Sequence, residues 1–266
     1  MELNNYERRQ FSRLEMNNQS IGQNLALAGQ VQRSFLPTAS QCLKGFELAG
    51  KSISCIEVGG DYFDYLYGPD FQDDSLKVIV GDVSGHGIDA ALLMSSARTF
   101  IRSRASFPGK PADVVSDFNR YFYSDNSQTG YFMTLFYLDV DLVTGDASWV
   151  RAGHDPAFVF NPQTDGFEEL KGVGLPLGID YRHSYTEYSL PKLPKGTVIA
   201  LGTDGIWDAR NEQDEFFGKD HFRNILRETA MLSAQEIVNA VLEELGNFCK
   251  GVPLDDDVTL VIVKVI

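Results

Sequence analysis

Cysteine is scarce in this sequence: Cys42, Cys55 and Cys249 are the three present in 266 residues, and no two form a CxxC pair. An odd, scattered set excludes a disulfide framework and a cysteine-built zinc site, and fits core thiols in a reducing compartment. Basic residues are few as well, with 23 Lys and Arg against 37 Asp and Glu and a formal net charge of -14. A surface of that sign repels phosphate backbones, which excludes sequence-independent nucleic-acid binding and leaves a protein partner or a cation as the expected counterpart. Long apolar runs are missing. No stretch approaches the roughly 20 residues of a membrane span, and the polar start MELNNYERRQ has no signal-peptide core, so a cytoplasmic protein without membrane contact is expected.

What is present is an ordinary globular composition, 43% hydrophobic, long enough to bury a sizeable core. Residues 1–36 differ from the rest, being rich in Asn, Gln and Arg. Apolar residues there keep a seven-residue register, Leu14, Ile21, Ala28 and Phe35 on one position and Phe11 and Leu25 on the other, interrupted by Asn18 and Gln32. The pattern predicts a helix that Pro37 ends, either a parallel coiled coil making a homodimer or an amphipathic helix lying on the domain. Residues 37–266 form the folded domain. Its β-rich runs, FELAGKSISCI, DYFDYLY, SLKVIVGDV, YFMTLFYLDVD, DASWVRAG, PAFVFN, SYTEYSL, TVIALGT and DVTLVIVKVI, are mostly joined by short turns, which predicts antiparallel pairing. Helical patterns cover 88–124, broken at FPGKP, and 219–250, with Ser233 as a cap. Strand runs separated from helix pairs indicate an α+β fold.

Four acidic turns stand out. EVGGDYFDY places Asp61 and Asp64 where a strand begins, VIVGDVSGHG places Asp82 where one ends, IALGTDGIWD places Asp204 at another end, and PLDDDVTL puts Asp255, Asp256 and Asp257 before the last strand. Any one Asp-Gly is an ordinary turn; Asp64 alone reads equally as an exposed strand residue and Asp255 as a solvated charge. Together, carboxylates on rigid strand ends would repel one another unless a cation neutralised them. Oxygen-only ligands select magnesium or manganese over zinc.

These strings resemble the metal-dependent protein phosphatases, the type 2C-like superfamily, and more closely its bacterial SpoIIE and RsbU branch. The resemblance runs from about Leu36 to Ile266 through VGGDYFDY, GDVSGHGIDAALLM, RAGHDPAFVF, GLPLGI, LGTDGIWDARN and DDDVTLVIV, in family order. It implies a four-layer α-β-β-α sandwich of two antiparallel sheets, with two manganese or magnesium ions in a cleft at the sheet edge. Carried over, Asp82 resembles the carboxylate bridging both metals and the Val83 carbonyl the backbone ligand beside it. Asp61 matches a ligand of one metal, Asp204 and Asp256 those of the other, and Asp257 stands at a neighbouring position, as a ligand or as support for one. Catalysis is expected to depend on Asp82 and Asp61, with no phosphoenzyme.

Two departures qualify the match. Ser84 stands where animal-type relatives carry a His that is a candidate general acid; His86 and His154 are expected to have structural roles. No Arg matches the animal-type phosphate clamp, and Arg151 and Arg210 read as surface salt-bridge residues. The branch implies a phosphoserine or phosphothreonine protein as substrate, typically an anti-sigma factor antagonist of STAS type in a partner-switching cascade. Rival functions are a phosphoprotein-binding scaffold without catalysis and a phosphatase of small metabolites. The helix after GDVSGHG starts so near Asp82 that a shift of it should move a ligand, and the N-terminal helix, continuing from a sensor or receiver domain, is expected to dimerise and bias that shift.

Overall fold

The computed structural model describes residues 5–71 and 74–266, without the side chains of residues 5–18. In chain order the elements are α1 (Asn5–Phe35), β1 (Gln41–Leu43), β2 (Phe46–Ile53), β3 (Asp61–Leu66), β4 (Ser75–Val83), α2 (Ile88–Ala105), α3 (Pro111–Asn126), β5 (Met133–Asp141), β6 (Ala147–Ala152), β7 (Ala157–Asn161), β8 (Gly166–Leu170), β9 (Tyr188–Leu190), β10 (Val198–Gly202), α4 (Lys219–Thr229), α5 (Ala234–Phe248) and β11 (Val258–Val265). Each expected β-run supplies a strand, and the proline-glycine break at FPGKP separates α2 from α3, which starts on Pro111. Ser233 caps α5 as expected: its hydroxyl accepts from the Glu236 amide while the Glu236 carboxylate accepts from the Ser233 amide (2.8 Å).

The strands form two sheets, one of six in the order β1-β2-β11-β10-β7-β8 and one of five in the order β3-β4-β5-β6-β9. Neighbours in both pair antiparallel. Period-2 alternation sends one set of side chains between the sheets, where Phe63, Val78, Phe136, Ile199 and Val261 are buried together. The outer face of the five-stranded sheet packs on α2 and α3 through Tyr62, Ile79, Met94 and Phe118; that of the six-stranded sheet packs on α4 and α5 through Ala200, Phe222, Ile237 and Ile262. The expected four-layer α-β-β-α sandwich is the fold.

Two details differ from the sequence pattern. Only Tyr188–Leu190 of SYTEYSL is strand, and β1 and β8 carry no strong apolar alternation. Charged Glu168 and Glu169 suit an edge strand such as β8, whose outer side faces solvent. Helix α1 ends at Phe35, just before Pro37, and its last three turns lie on the domain through Leu25, Gly29, Gln32 and Phe35, leaving Ile21, Leu27 and Val31 more than half exposed. The seam residues Phe11, Leu14 and Asn18 lie outside the described side chains. Among the described residues no helix is long and apolar enough to cross a membrane.

Candidate metal centre

Asp61 lies directly opposite Asp82 in the β3–β4 ladder. Along β3, Phe63 and Tyr65 face the space between the sheets and Tyr62 and Leu66 face the helices, so Asp61, two residues before Phe63, points into the cleft. It is 4% exposed and accepts a hydrogen bond from the Thr203 hydroxyl (2.9 Å), just past the end of β10 in the other sheet. Thr203 is itself fixed, its amide donating to the Thr259 carbonyl (3.0 Å) and its hydroxyl accepting from the Thr259 amide (3.0 Å). One hydroxyl thus joins the two sheets at the cleft. Asp204 follows it, and Asp256 and Asp257 lead into β11, the antiparallel neighbour of β10, so the remaining carboxylates arrive at the same edge.

The glycines of the two motifs make this approach possible. A Cβ on Gly60 would lie 2.7 Å from the Val83 carbonyl oxygen and 3.3 Å from the Ala90 Cβ, so only glycine lets that carbonyl and the first turn of α2 sit against the loop carrying Asp61. Gly85 and Gly87 take φ of 84° and 95°, the left-handed region, and turn the chain from β4 into α2 within a few residues of Asp82.

Charge confirms the crowding. Burial first, then Asp204, Asp256 and Asp257, pushes the Asp82 carboxyl up to about 8. Burial and Asp82 hold Asp61 well above the usual carboxylate range. Asp204 is raised by burial and by Asp256, and Asp256 by burial and, more weakly, by Asp257. Carboxylates that raise one another's proton affinity are those a hard cation relieves, and the donor set, oxygen alone with a backbone carbonyl, fits magnesium or manganese. Among the described residues no three acidic, imidazole or thiol side chains already point at one ion position, so the carboxylates share the cleft but must turn to share an ion.

Asp257 stands apart. It is 2% exposed, and its two oxygens accept from the amides of Cys55 (2.9 Å) and Gly60 (2.7 Å), so it holds the loop that leads into Asp61. Asp64, on the opposite face of β3 from Asp61, is neither a cleft carboxylate nor an exposed residue: it is 1% exposed and paired with Arg102 of α2. Asp255 is exposed, as a solvated charge would be. His154 is buried with Nδ1 2.8 Å from the Thr134 hydroxyl, beside Asp82 across the β4–β5 ladder. Burial pushes it down to about 4, against the opposite pull of Asp155 and the Gly202 carbonyl, so at neutral pH it is an uncharged wall of the cleft. His86 is exposed at the tip of the turn. Arg151 donates to the carbonyls of His154 and Gly172, and Arg210 pairs with Asp214 and stacks on Phe216 (4.4 Å), so both are engaged in holding loops.

The pattern reading passed over Gln32. In the sequence it interrupts an apolar seam; in the structure its side-chain amide donates to the Gly59 carbonyl (2.7 Å) and accepts from the Gly59 amide (3.0 Å). The last turn of α1 therefore grips the backbone of Gly59, two residues before Asp61, on both sides.

Comparison with known proteins bears on the family and the fold. The model of the family described as Stage II sporulation protein E (SpoIIE) matches residues 72–266, well over half of the chain. The phosphoserine phosphatase RsbU of Bacillus subtilis (strain 168) is 27% identical over 246 residues, 92% of this chain and 71% of that protein. Protein IcfG of Synechocystis is 30% identical over 263 residues, 88% of this chain and 40% of that protein, so the chain spans less than half of this longer relative. Among solved structures, the SiaA-PP2C domain of Pseudomonas aeruginosa superposes with a TM-score of 0.80 at 25% identity, covering 94% of this chain and 99% of that one. Sandwich, cleft and family model converge: the chain belongs to the SpoIIE family of metal-dependent phosphatases and is a protein serine/threonine phosphatase.

Proposed function

We propose that this protein hydrolyses phosphoserine or phosphothreonine on a protein partner with two manganese or magnesium ions held in the cleft. What carries the proposal is the meeting, from four separate strand ends, of Asp61, Asp82, Asp204 and Asp256, with Asp82 pushed up to about 8 by burial and its neighbours. Asp82 would bridge the ions, the Val83 carbonyl and Asp61 would serve one, and Asp204 and Asp256 the other. Asp257, with both oxygens on amides, would hold the Asp61 loop in place rather than reach an ion. Two such ions, when bound, activate water and neutralise the phosphoryl oxygens during in-line displacement. The chain's own part is positioning: Thr203 fixes the rotamer of Asp61, Gly60 admits the Val83 carbonyl, and uncharged His154 keeps a second positive charge out of the wall. The deciding experiment is phosphate release from a phosphoserine protein with manganese, in wild type, in Asp82→Ala and with chelator. Activity lost in both controls supports the proposal; activity that survives chelation sinks it.

The substrate class follows the branch: a small anti-sigma factor antagonist of STAS type, released into partner switching in the cytoplasm. Residues 1–36 would act as a regulatory helix ahead of a phosphatase domain at 37–266, with dimerisation through α1 and an upstream sensor or receiver domain as its input. The exposed Ile21, Leu27 and Val31 and the Gln32 grip on Gly59 support that role. Deleting residues 1–35 is expected to change both oligomeric state by light scattering and turnover; if neither moves, the regulatory role is wrong.

A further inference from the structure

Asp64 is the acidic residue of the first motif that the metal centre leaves unused. Its Oδ2 accepts from the Arg102 guanidinium (2.6 Å) and from the Tyr62 hydroxyl (2.8 Å), and its Oδ1 from the Tyr65 amide (2.9 Å). Burying a carboxylate is costly even when it is paired, and an apolar contact would have packed the helix on the strand as well. What an ion pair adds is a fixed position: a helix face of Ala and Ile side chains can slide along a sheet, whereas hydrogen bonds from a planar guanidinium tolerate little displacement.

The two ends of α2 both touch the β3 segment. Near its start, Ala90 packs on Gly60, and the Val83 amide donates to the Gly60 carbonyl (3.3 Å). Near its end, Arg102 holds Asp64. Twelve residues of helix, about 18 Å, separate these two attachments. One turn before Arg102, Arg98 donates to the Phe35 carbonyl at the end of α1 (3.0 Å) and lies over the Phe35 ring at 5.0 Å. Helix α2 is thus tied to β3 by one arginine and to α1 by the next.

We infer that the Asp64–Arg102 pair is a positioning element: it sets where α2 sits along β3, and through the Gly60 junction it sets the Val83 carbonyl relative to Asp61. The consequence for metal rests on the reading of Val83 and Asp61 as ligands. The seat of the helix does not.

Two measurements on the full chain separate these parts, using Arg102→Met, Arg102→Lys and Asp64→Asn. The first is calorimetric titration with manganese alone. Arg102→Met is expected to weaken binding about tenfold, the lower end of the effect of residues standing behind metal ligands, and Arg102→Lys, which keeps the charge but loses the planar guanidinium, to recover only part of it. The second is amide hydrogen exchange without added metal, read around this junction at Val83, Ser84 and Ala91, whose amides donate to the carbonyls of Gly60, Phe132 and Gly87. Arg102→Met is expected to speed exchange at all three, far from the substitution. If it fails to fold, Asp64→Asn, which keeps the shape, is expected to show the same two changes more weakly. A folded variant with a lower Tm, unchanged manganese affinity and unchanged exchange at the junction overturns the inference and leaves the pair a stabilising contact only. If wild type binds no manganese, the metal centre as proposed is wrong, and the exchange at Val83, Ser84 and Ala91 decides the positioning element by itself.

Discussion

The two halves of the cleft are built on different principles. Asp61 and Asp82 face each other in the β3–β4 ladder and Val83 follows against Gly60, so strand pairing brings them together; Asp204 and Asp256 sit on loops at the ends of β10 and β11 and are exposed. Register fixes the strand half tightly but buries its charge, so Asp61 and Asp82 show the strongest pull toward protonation. The loop half costs less charge and is free to turn. If the proposed pair of ions is right, a site divided this way would give one a preset position and the other an adaptable one.

Substitution should expose the difference. Asp82→Ala is expected to reduce manganese-dependent phosphate release on the order of 10³-fold, a loss of electrostatic stabilisation that added manganese does not restore. Asp204→Ala should lose about 10-fold to 100-fold and recover in part as manganese is raised, because neighbouring Asp256 remains. Equal, unrecoverable losses in the two variants would break the comparison.

The junction gives a second test. Gly60→Ala puts a methyl 2.7 Å from the Val83 carbonyl oxygen. Overpacking of this kind costs about 1–3 kcal/mol, and the shift falls on the carbonyl proposed as a ligand of the strand half, so manganese affinity should drop together with Tm. A variant that loses stability while binding manganese as wild type does would detach the Val83 carbonyl from the ion.

Proton linkage sharpens the same contrast. Asp82 and Asp61 are raised in the fold, so they bind protons there that the unfolded chain has already released. Their contribution to stability is complete below the ordinary carboxylate range and is lost as pH climbs toward about 8. With chelator present, Tm is therefore expected to fall from pH 5.5 to pH 8, and Asp82→Asn should flatten the slope. Saturating manganese should reverse the trend, because the ion competes with protons for the same oxygens. For a chain of this size about 1 kcal/mol appears as roughly 2–4 °C, within reach of thermal scans.

How far the sequence reveals this depends on the range of each interaction. The strands were legible because apolar period and turn residues are local, and the carboxylates because each stands where an apolar run stops. Asp64 was not: it read as one more cleft carboxylate or as an exposed strand residue, because its partner Arg102 lies 38 residues on and no local pattern marks the pair. Strands β1 and β8 escaped because edge strands need little apolar surface. The Asp61–Asp82 register and the Thr203 bridge across 142 residues are products of tertiary pairing.

Gln32 is the clearest case of a residue misread by pattern, and it supplies the mildest test. Two hydrogen bonds to the backbone of one residue, 2.7 and 3.0 Å, link α1 to the strand half and leave the loop half untouched. At the low end of a net hydrogen bond's worth, about 0.5 kcal/mol each, the two together contribute about 1 kcal/mol, or about fivefold in an equilibrium. Gln32→Ala is therefore expected to lower turnover about fivefold at limiting manganese, and hardly at all once manganese saturates, because the ion itself then holds Asp61. Asn in its place, one methylene shorter, cannot close both bonds and should behave like Ala, whereas Glu can keep only the bond from the Gly59 amide and should fall between. If Gln32→Ala instead lowers the plateau at saturating manganese, α1 governs the chemistry beyond the strand half, and the division between preset and adaptable positions would have to be redrawn with α1 reaching both.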